Sequence, residues 1–165
     1  MTSHFAFNEF TNSDTATRLG INNMPEPAVA QRIFKLMGYM EVVRGMLGKP
    51  INISSGYRCE ELEKVLCDKD YRAWCDRHGY IVDPNSWSLY FAGKSHPAGY
   101  ACDFTCPAFG PPSQIVTFLR RQGIRYDQLI CEGTWVHISF DPRMRNEVLD
   151  ATFVNGTPSY AVRAA

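Results

Sequence analysis

The sequence predicts a single α+β domain, with helices that precede and surround a small, mostly antiparallel sheet. Three observations predict it. An apolar stripe at three- and four-residue steps marks one long helix near the start. Short β-prone segments that alternate apolar and polar residues lie further along, the last two joined by a glycine turn. The length of 165 residues fits one domain, taken as residues 1–165 with a core over about 10–150.

The elements follow in order. Residues 10–20, FTNSDTATRLG, read as a short helix capped by Ser13 or Asp14 and stopped at Gly20. NNMPEP (22–27) connects it to the long helix over 27–47, whose stripe is Ile33, Leu36, Met37, Met40, Val43, Met46 and Leu47. Gly48 and Pro50 end that helix. INISSGYR (51–58) alternates and reads as a strand running into a turn. Residues 60–78 read as helical, with a break at Asp68 or Lys69. Residues 79–94, carrying Gly, Pro, Ser and Asn among aromatics, read as a loop. YACDFTC (100–106) alternates as a strand. PPSQIVTFLRRQG (111–123) has a Pro-Pro-Ser start, an apolar face and a Gly stop, which predicts a helix. YDQLICEGTWVHISF (126–140) reads as two strands around a turn near Gly133-Thr134. DPRMRNEVL (141–149) reads as a short helix or turn, and Asn155-Gly156 predicts an edge hairpin in the tail.

Composition excludes several function classes. Seventeen basic residues balance seventeen acidic ones, without the basic excess of a nucleic-acid binder or a polybasic run for an anionic membrane. No apolar run approaches the length of a membrane span. MTSHFAFNEF lacks the basic and apolar regions of a signal peptide, so the expectation is a chain made in the cytoplasm that another agent must release. The six cysteines, at 59, 67, 75, 102, 106 and 131, are read as reduced thiols packed as small hydrophobes. Cys102 and Cys106 have a zinc-compatible spacing but no second matching pair. A monomer is expected.

One stretch carries chemistry. GKSHPAGYACDFTC (93–106) sets His96 and Asp103 seven positions apart among small residues. A carboxylate inside a strand is costly unless paired or metal-bound. His137 lies mid-strand in WVHISF and points away from Val136 and Ile138, on the face of Trp135 and Ser139. Alone it reads as a satisfied structural histidine. With His96 and Asp103 it completes two imidazoles and one carboxylate, a donor set that suits zinc. His4, near the terminus, and His78, at a helix end, read as ordinary surface residues.

SHPAGYACDF (95–104) resembles the His/Asp motif of the zinc D-Ala-D-Ala carboxypeptidases and L-alanyl-D-glutamate endopeptidases, which share their fold with the hedgehog signalling domain. WVHISF resembles the strand that brings the third ligand. SSGYRC (54–59) resembles the strand end whose arginine meets substrate, and PSQIVTFLRRQGIRYDQLICE (112–132) resembles phage-type members. The resemblance implies zinc ligands at His96, Asp103 and His137, and a substrate-facing Arg58. It also implies a peptidoglycan stem peptide as substrate and amide hydrolysis as the reaction. The setting it implies is the cell wall, reached through a holin pore or from a virion.

One departure matters. Many members carry the catalytic carboxylate three positions before the last histidine, where this chain has Thr134. Glu132, five positions before His137, is read instead as the general base, against a bland reading as a solvated turn residue. Arg58 reads as a clamp for a substrate carboxylate or oxyanion, or as a structural ion pair. Ser95 is expected to orient His96 and border the substrate, or to cap its loop. Trp135 is expected at the cleft rim or in the core. Ser139 is a candidate for the site wall and Asp127 reads as structural. Residues 64–92 read as an insertion bordering the substrate groove. The departure also leaves open a zinc-containing binding or structural module without catalysis.

Overall fold

The computed structural model describes residues 3–164 and is a small α+β domain with a mixed six-stranded sheet. A 3-10 turn, Phe7–Phe10, leads to helix α1, Asp14–Leu19, which Ser13 caps by accepting the Ala16 amide and Gly20 closes in a left-handed conformation. Helix α2, Pro27–Leu47, buries Ile33, Leu36, Met40, Val43 and Leu47, the centre of the stripe expected from the sequence.

Strand β1 is Asn52–Ser55, β2 Ala101–Thr105, β3 Gln128–Cys131 and β4 Val136–Ser139. Strand β5 is Glu147–Val154 and β6 Thr157–Val162, joined at Asn155-Gly156, where both residues have positive φ. The strand order is β1-β2-β4-β3-β5-β6. All pairings are antiparallel except β3 with β5, which run parallel. That pair follows from the route of the chain: β4 folds back beside β3 on one side, and the 141–146 segment carries the chain across to the other.

Alternation gives the sheet two faces. Cys102, Phe104, Leu129, Val136 and Ile138 pack against α2 and against helix α5, Pro112–Arg121, whose Ile115, Val116 and Leu119 are fully buried. Each such aliphatic side chain stabilises the fold by about 1.5–3 kcal/mol. The intervening residues, Asp103, His137, Ile130 and Leu149, are successive cross-strand partners and form one row on the opposite face. The same period that builds the core therefore delivers a carboxylate and an imidazole side by side.

Two expectations for 60–94 are corrected. Helix α3, Glu60–His78, runs unbroken through Asp68 and Lys69, with Asp68 paired to Arg72 one turn on. The expected loop contains helix α4, Pro84–Ala92. Asp83 caps it in a reciprocal capping box with Ser86, and Pro84 takes the first helical position. Tyr71 and Cys75 of α3 pack on Trp87 and Tyr90 of α4 in an aromatic cluster separate from the main core. Residues 141–146 form a turn with positive φ at Met144 and Asn146, and β5 begins at Glu147.

Asp127, fully buried, fixes that turn. It takes Nε and Nη2 of Arg145 at 2.8 and 2.7 Å and the Arg145 amide at 3.2 Å. Burial works against its charge, but the Arg145 bonds overcome this and hold its pKa below the ordinary value. Its contribution to stability is therefore present above pH ~3.9 and fades as pH falls through the lowered folded value. Asp127→Asn is expected to cost ~1.5–3 kcal/mol in urea denaturation at neutral pH, because it removes the buried charge that Arg145 bonds, leaving that arginine, among the described residues, only its pair with Glu147 at 3.0 Å.

Candidate metal centre

Asp103 and His137 face each other directly in the β2–β4 pair. His96 joins them from the loop before β2. That loop turns at Gly99, whose φ is +77° and where a Cβ would lie 2.9 Å from Val29 of α2. The donor atoms converge: His137 Nδ1 lies 2.9 Å from Asp103 Oδ1, and His96 Nε2 lies 3.2 Å from both. All three residues are buried.

The His96 tautomer can be assigned from its partner. His96 Nδ1 is 2.6 Å from the carbonyl of Gly56, which can only accept, so Nδ1 carries the proton and Nε2 offers a lone pair. Burial, with the neighbouring Arg58 charge, lowers the His96 pKa and keeps the imidazole neutral. Burial alone would raise the Asp103 pKa, but the hydrogen bond with His137 Nδ1 at 2.9 Å holds it well below the usual carboxylate range. Nε2 of His96 and Oδ1 of Asp103, 3.2 Å apart, can both donate to one cation. For bonds of about 2.0–2.1 Å, donors around tetrahedral zinc stand about 3.3 Å apart, so these residues fit that ion. His96, Asp103 and His137 form a group that could hold a metal ion.

Gly56 was not singled out by sequence reasoning. A Cβ on it would come 2.3 Å from the Phe10 carbonyl oxygen, so only glycine lets this loop lie against the 3-10 turn and present its carbonyl to His96. The signal was its place in SSGYRC. Carbonyl-to-histidine bonds of this kind orient metal ligands. Ser95 was expected in that orienting role. It is buried and lines the cleft, but among the described residues no hydrogen bond joins its hydroxyl to the His96 ring.

Arg58 reaches the other oxygen of the same carboxylate. Its Nη2 donates to Asp103 Oδ2 at 2.9 Å and to Ser55 Oγ at 3.0 Å, and its Nε donates to Ser55 Oγ at 3.1 Å. Glu63 of α3 stands 3.6 Å from Nη1. The ion-pair reading of Arg58 thus describes its contacts, while its side chain also lines the cleft.

Glu132 sits in the β3–β4 turn, which Gly133 closes with φ +72°. It is half-buried and lines the cleft. Burial and the nearby Asp103 charge raise its pKa, against the opposing pull of His137, Trp135 and Arg58. The Trp135 indole N–H donates to Glu132 Oε2 at 2.8 Å, a contact the sequence reading did not anticipate for either residue. Trp135 is half-buried on the cleft wall. Thr134 is exposed. Ser139 is fully buried, and its hydroxyl accepts the Gln128 amide. His4 bonds Glu41 at 2.8 Å, and His78 bonds the Trp74 carbonyl. The six cysteines are free thiols, with 75, 102 and 106 buried.

The cleft over this centre encloses about 880 Å³. Its floor is the Asp103–His137–Ile130–Leu149 row. Val65, Leu66 and Leu89 of α3 and α4 form one wall; Phe153, Pro158 and Tyr160 of the β5–β6 hairpin form the other. Charges of both signs line it, with Lys69, Arg77 and Lys94 against Asp68 and Asp70. No described helix is long and apolar enough to cross a membrane.

A family model described as Peptidase M15 matches residues 3–66. The match takes in Gly56, Arg58 and Glu63 and ends before the three convergent donors. It supports a metallopeptidase. Comparison with the curated proteins and with the solved structures gave no significant match.

Proposed function

We propose that this chain is a zinc peptidase that hydrolyses an amide bond in the peptidoglycan stem peptide. The observation that carries the proposal is the convergence of His96 Nε2, Asp103 Oδ1 and His137 Nδ1 at 2.9–3.2 Å on the floor of a large charged cleft. The Peptidase M15 match and the resemblance of SHPAGYACDF and WVHISF to the D-Ala-D-Ala carboxypeptidases and L-alanyl-D-glutamate endopeptidases support it.

His96, Asp103 and His137 are the zinc ligands in this reading. Zinc, when bound there, supplies Lewis acidity that acidifies water and polarises a carbonyl. Glu132 takes the proton of the attacking water and returns it to the leaving amine, a role suited to a carboxylate whose pKa burial raises. Trp135 holds Glu132 in place through the indole N–H and borders the substrate with Ser95. Arg58, anchored by Ser55 and Asp103, donates to the negative charge that develops on the scissile oxygen or to a substrate carboxylate. The setting proposed is cell-wall lysis of the phage type, by a monomer, with release through a holin pore or from a virion.

Residues 64–92 are proposed as a substrate-selecting insertion, which their own aromatic cluster and their place on the cleft wall support. Shortening the segment is expected to change which peptide is cut and to leave zinc content intact. Loss of zinc in the shortened protein would contradict this division of labour.

A second reading keeps the metal without catalysis, as a cell-wall binding or structural module. Exposed Thr134, at the position where many relatives of this type carry the base, favours it. Mass spectrometry of muropeptides digested with the zinc-loaded protein separates the two. New peptide termini within the stem support the peptidase and name the bond; intact muropeptides bound by the protein support the module.

A further inference from the structure

Glu63 is a buried carboxylate that the proposed mechanism does not use. It is 1% exposed, lies in the first turn of α3, and lines the cleft beside Arg58. Its Oε1 accepts the Cys67 thiol at 3.1 Å, while its Oε2 has no hydrogen-bond partner among the described residues. The nearest cation to Oε2 is Arg58 Nη1 at 3.6 Å, too far for a hydrogen bond but close for an ion pair. Stability alone does not account for such a group, since a well-packed apolar side chain of similar size serves a core as well or better.

The guanidinium is divided accordingly. Its Nε and Nη2 hydrogens are spent on Ser55 and Asp103, and among the described residues Nη1 is the nitrogen without a hydrogen bond. Nη1 is therefore the donor left for a ligand, and Glu63 is the charge that faces it.

We infer that Glu63 is a positioning residue: it holds the Arg58 guanidinium so that Nη1 faces the cleft, free to donate to a substrate oxygen. The substrate part of this inference rests on the peptidase reading; the positioning part does not. The Nε–H resonance of Arg58 in ¹⁵N-labelled protein, assigned with Arg58→Lys, reads the positioning directly. Glu63→Gln is expected to shift that resonance and speed its solvent exchange, with zinc content unchanged. Glu63→Asp, which keeps the charge, is expected to retain most of the protection, and it serves as the probe if Glu63→Gln does not fold. On peptidoglycan, Glu63→Gln is expected to lower kcat by ~10–100-fold with KM little changed. In an Arg58→Ala background it is expected to cost nothing further. An unshifted resonance, or a loss of kcat that multiplies with that of Arg58→Ala, would overturn the inference. A wild-type protein that cuts nothing while the resonance responds as expected removes the peptidase reading and leaves Glu63 as the residue that positions Arg58.

Discussion

Glu132→Gln is expected to lower kcat on peptidoglycan by ~10²–10⁴-fold, or roughly 3–5 kcal/mol of barrier, while zinc content stays at the wild-type value. The substitution keeps the shape of the side chain and the reach of Trp135, but an amide cannot take the proton of water. The pH profile gives a second reading of the same residue. Burial raises the Glu132 pKa, so the acid limb of kcat/KM should fall above the ordinary glutamate value of about 4.3. Activity is lost as pH drops through that raised value, because the base must be ionised to act. A profile without an acid limb above the ordinary value, or a Glu132→Gln protein with wild-type turnover, would remove Glu132 from the mechanism.

His137→Ala is expected to abolish both metal binding and hydrolysis, with activity down by ~10⁴-fold or more as the stabilisation supplied by the ion is lost. The substitution removes one of the three donors and leaves His96 Nε2 and Asp103 Oδ1 alone, 3.2 Å apart. Stability should follow occupancy. A ligand held at a thousand times its Kd stabilises by about 4 kcal/mol, so chelation should lower the wild-type Tm by ~10 °C. The same chelator should leave the Tm of His137→Ala unchanged. A chelator-sensitive Tm in His137→Ala would place the ion elsewhere.

The parts of the fold that were legible in the sequence are those written in local periods. The α2 stripe, the Ser13 cap with its Gly20 stop, and the Asn155-Gly156 hairpin all depend on neighbours within a few positions. The Asp103–His137 juxtaposition was legible for a related reason: both alternate with core residues, and two strands that share a core face share the other face too. Helix α4 was missed because Gly, Ser and Asn among aromatics resemble a loop, although Asp83-Pro84 with Ser86 carried a capping signal. The unbroken α3 was missed because its charged stretch at 68–70 gives no apolar rhythm, whereas the helix is held there by side-chain pairs and by packing on α4.

The contacts that order the site depend on tertiary placement and left weaker traces. The Gly56 carbonyl meets His96 from forty positions away. Glu63 reads in sequence as one more acid in a charged helix start, and only the fold buries it beside Arg58. Arg58 pairs with Asp103, a contact that joins the segment after β1 to β2 across forty-five positions. Trp135 was expected at the rim or in the core. It lines the cleft, half-buried, and its indole N–H also finds Glu132 across a tight turn, three positions away, a contact the sequence did not signal.

Metal analysis of the purified protein, after gentle purification and again after reconstitution with zinc, decides whether His96, Asp103 and His137 hold an ion. One zinc per chain is expected, lost in His137→Ala and retained in Glu132→Gln. A wild-type protein that holds close to none under both conditions would contradict that expectation.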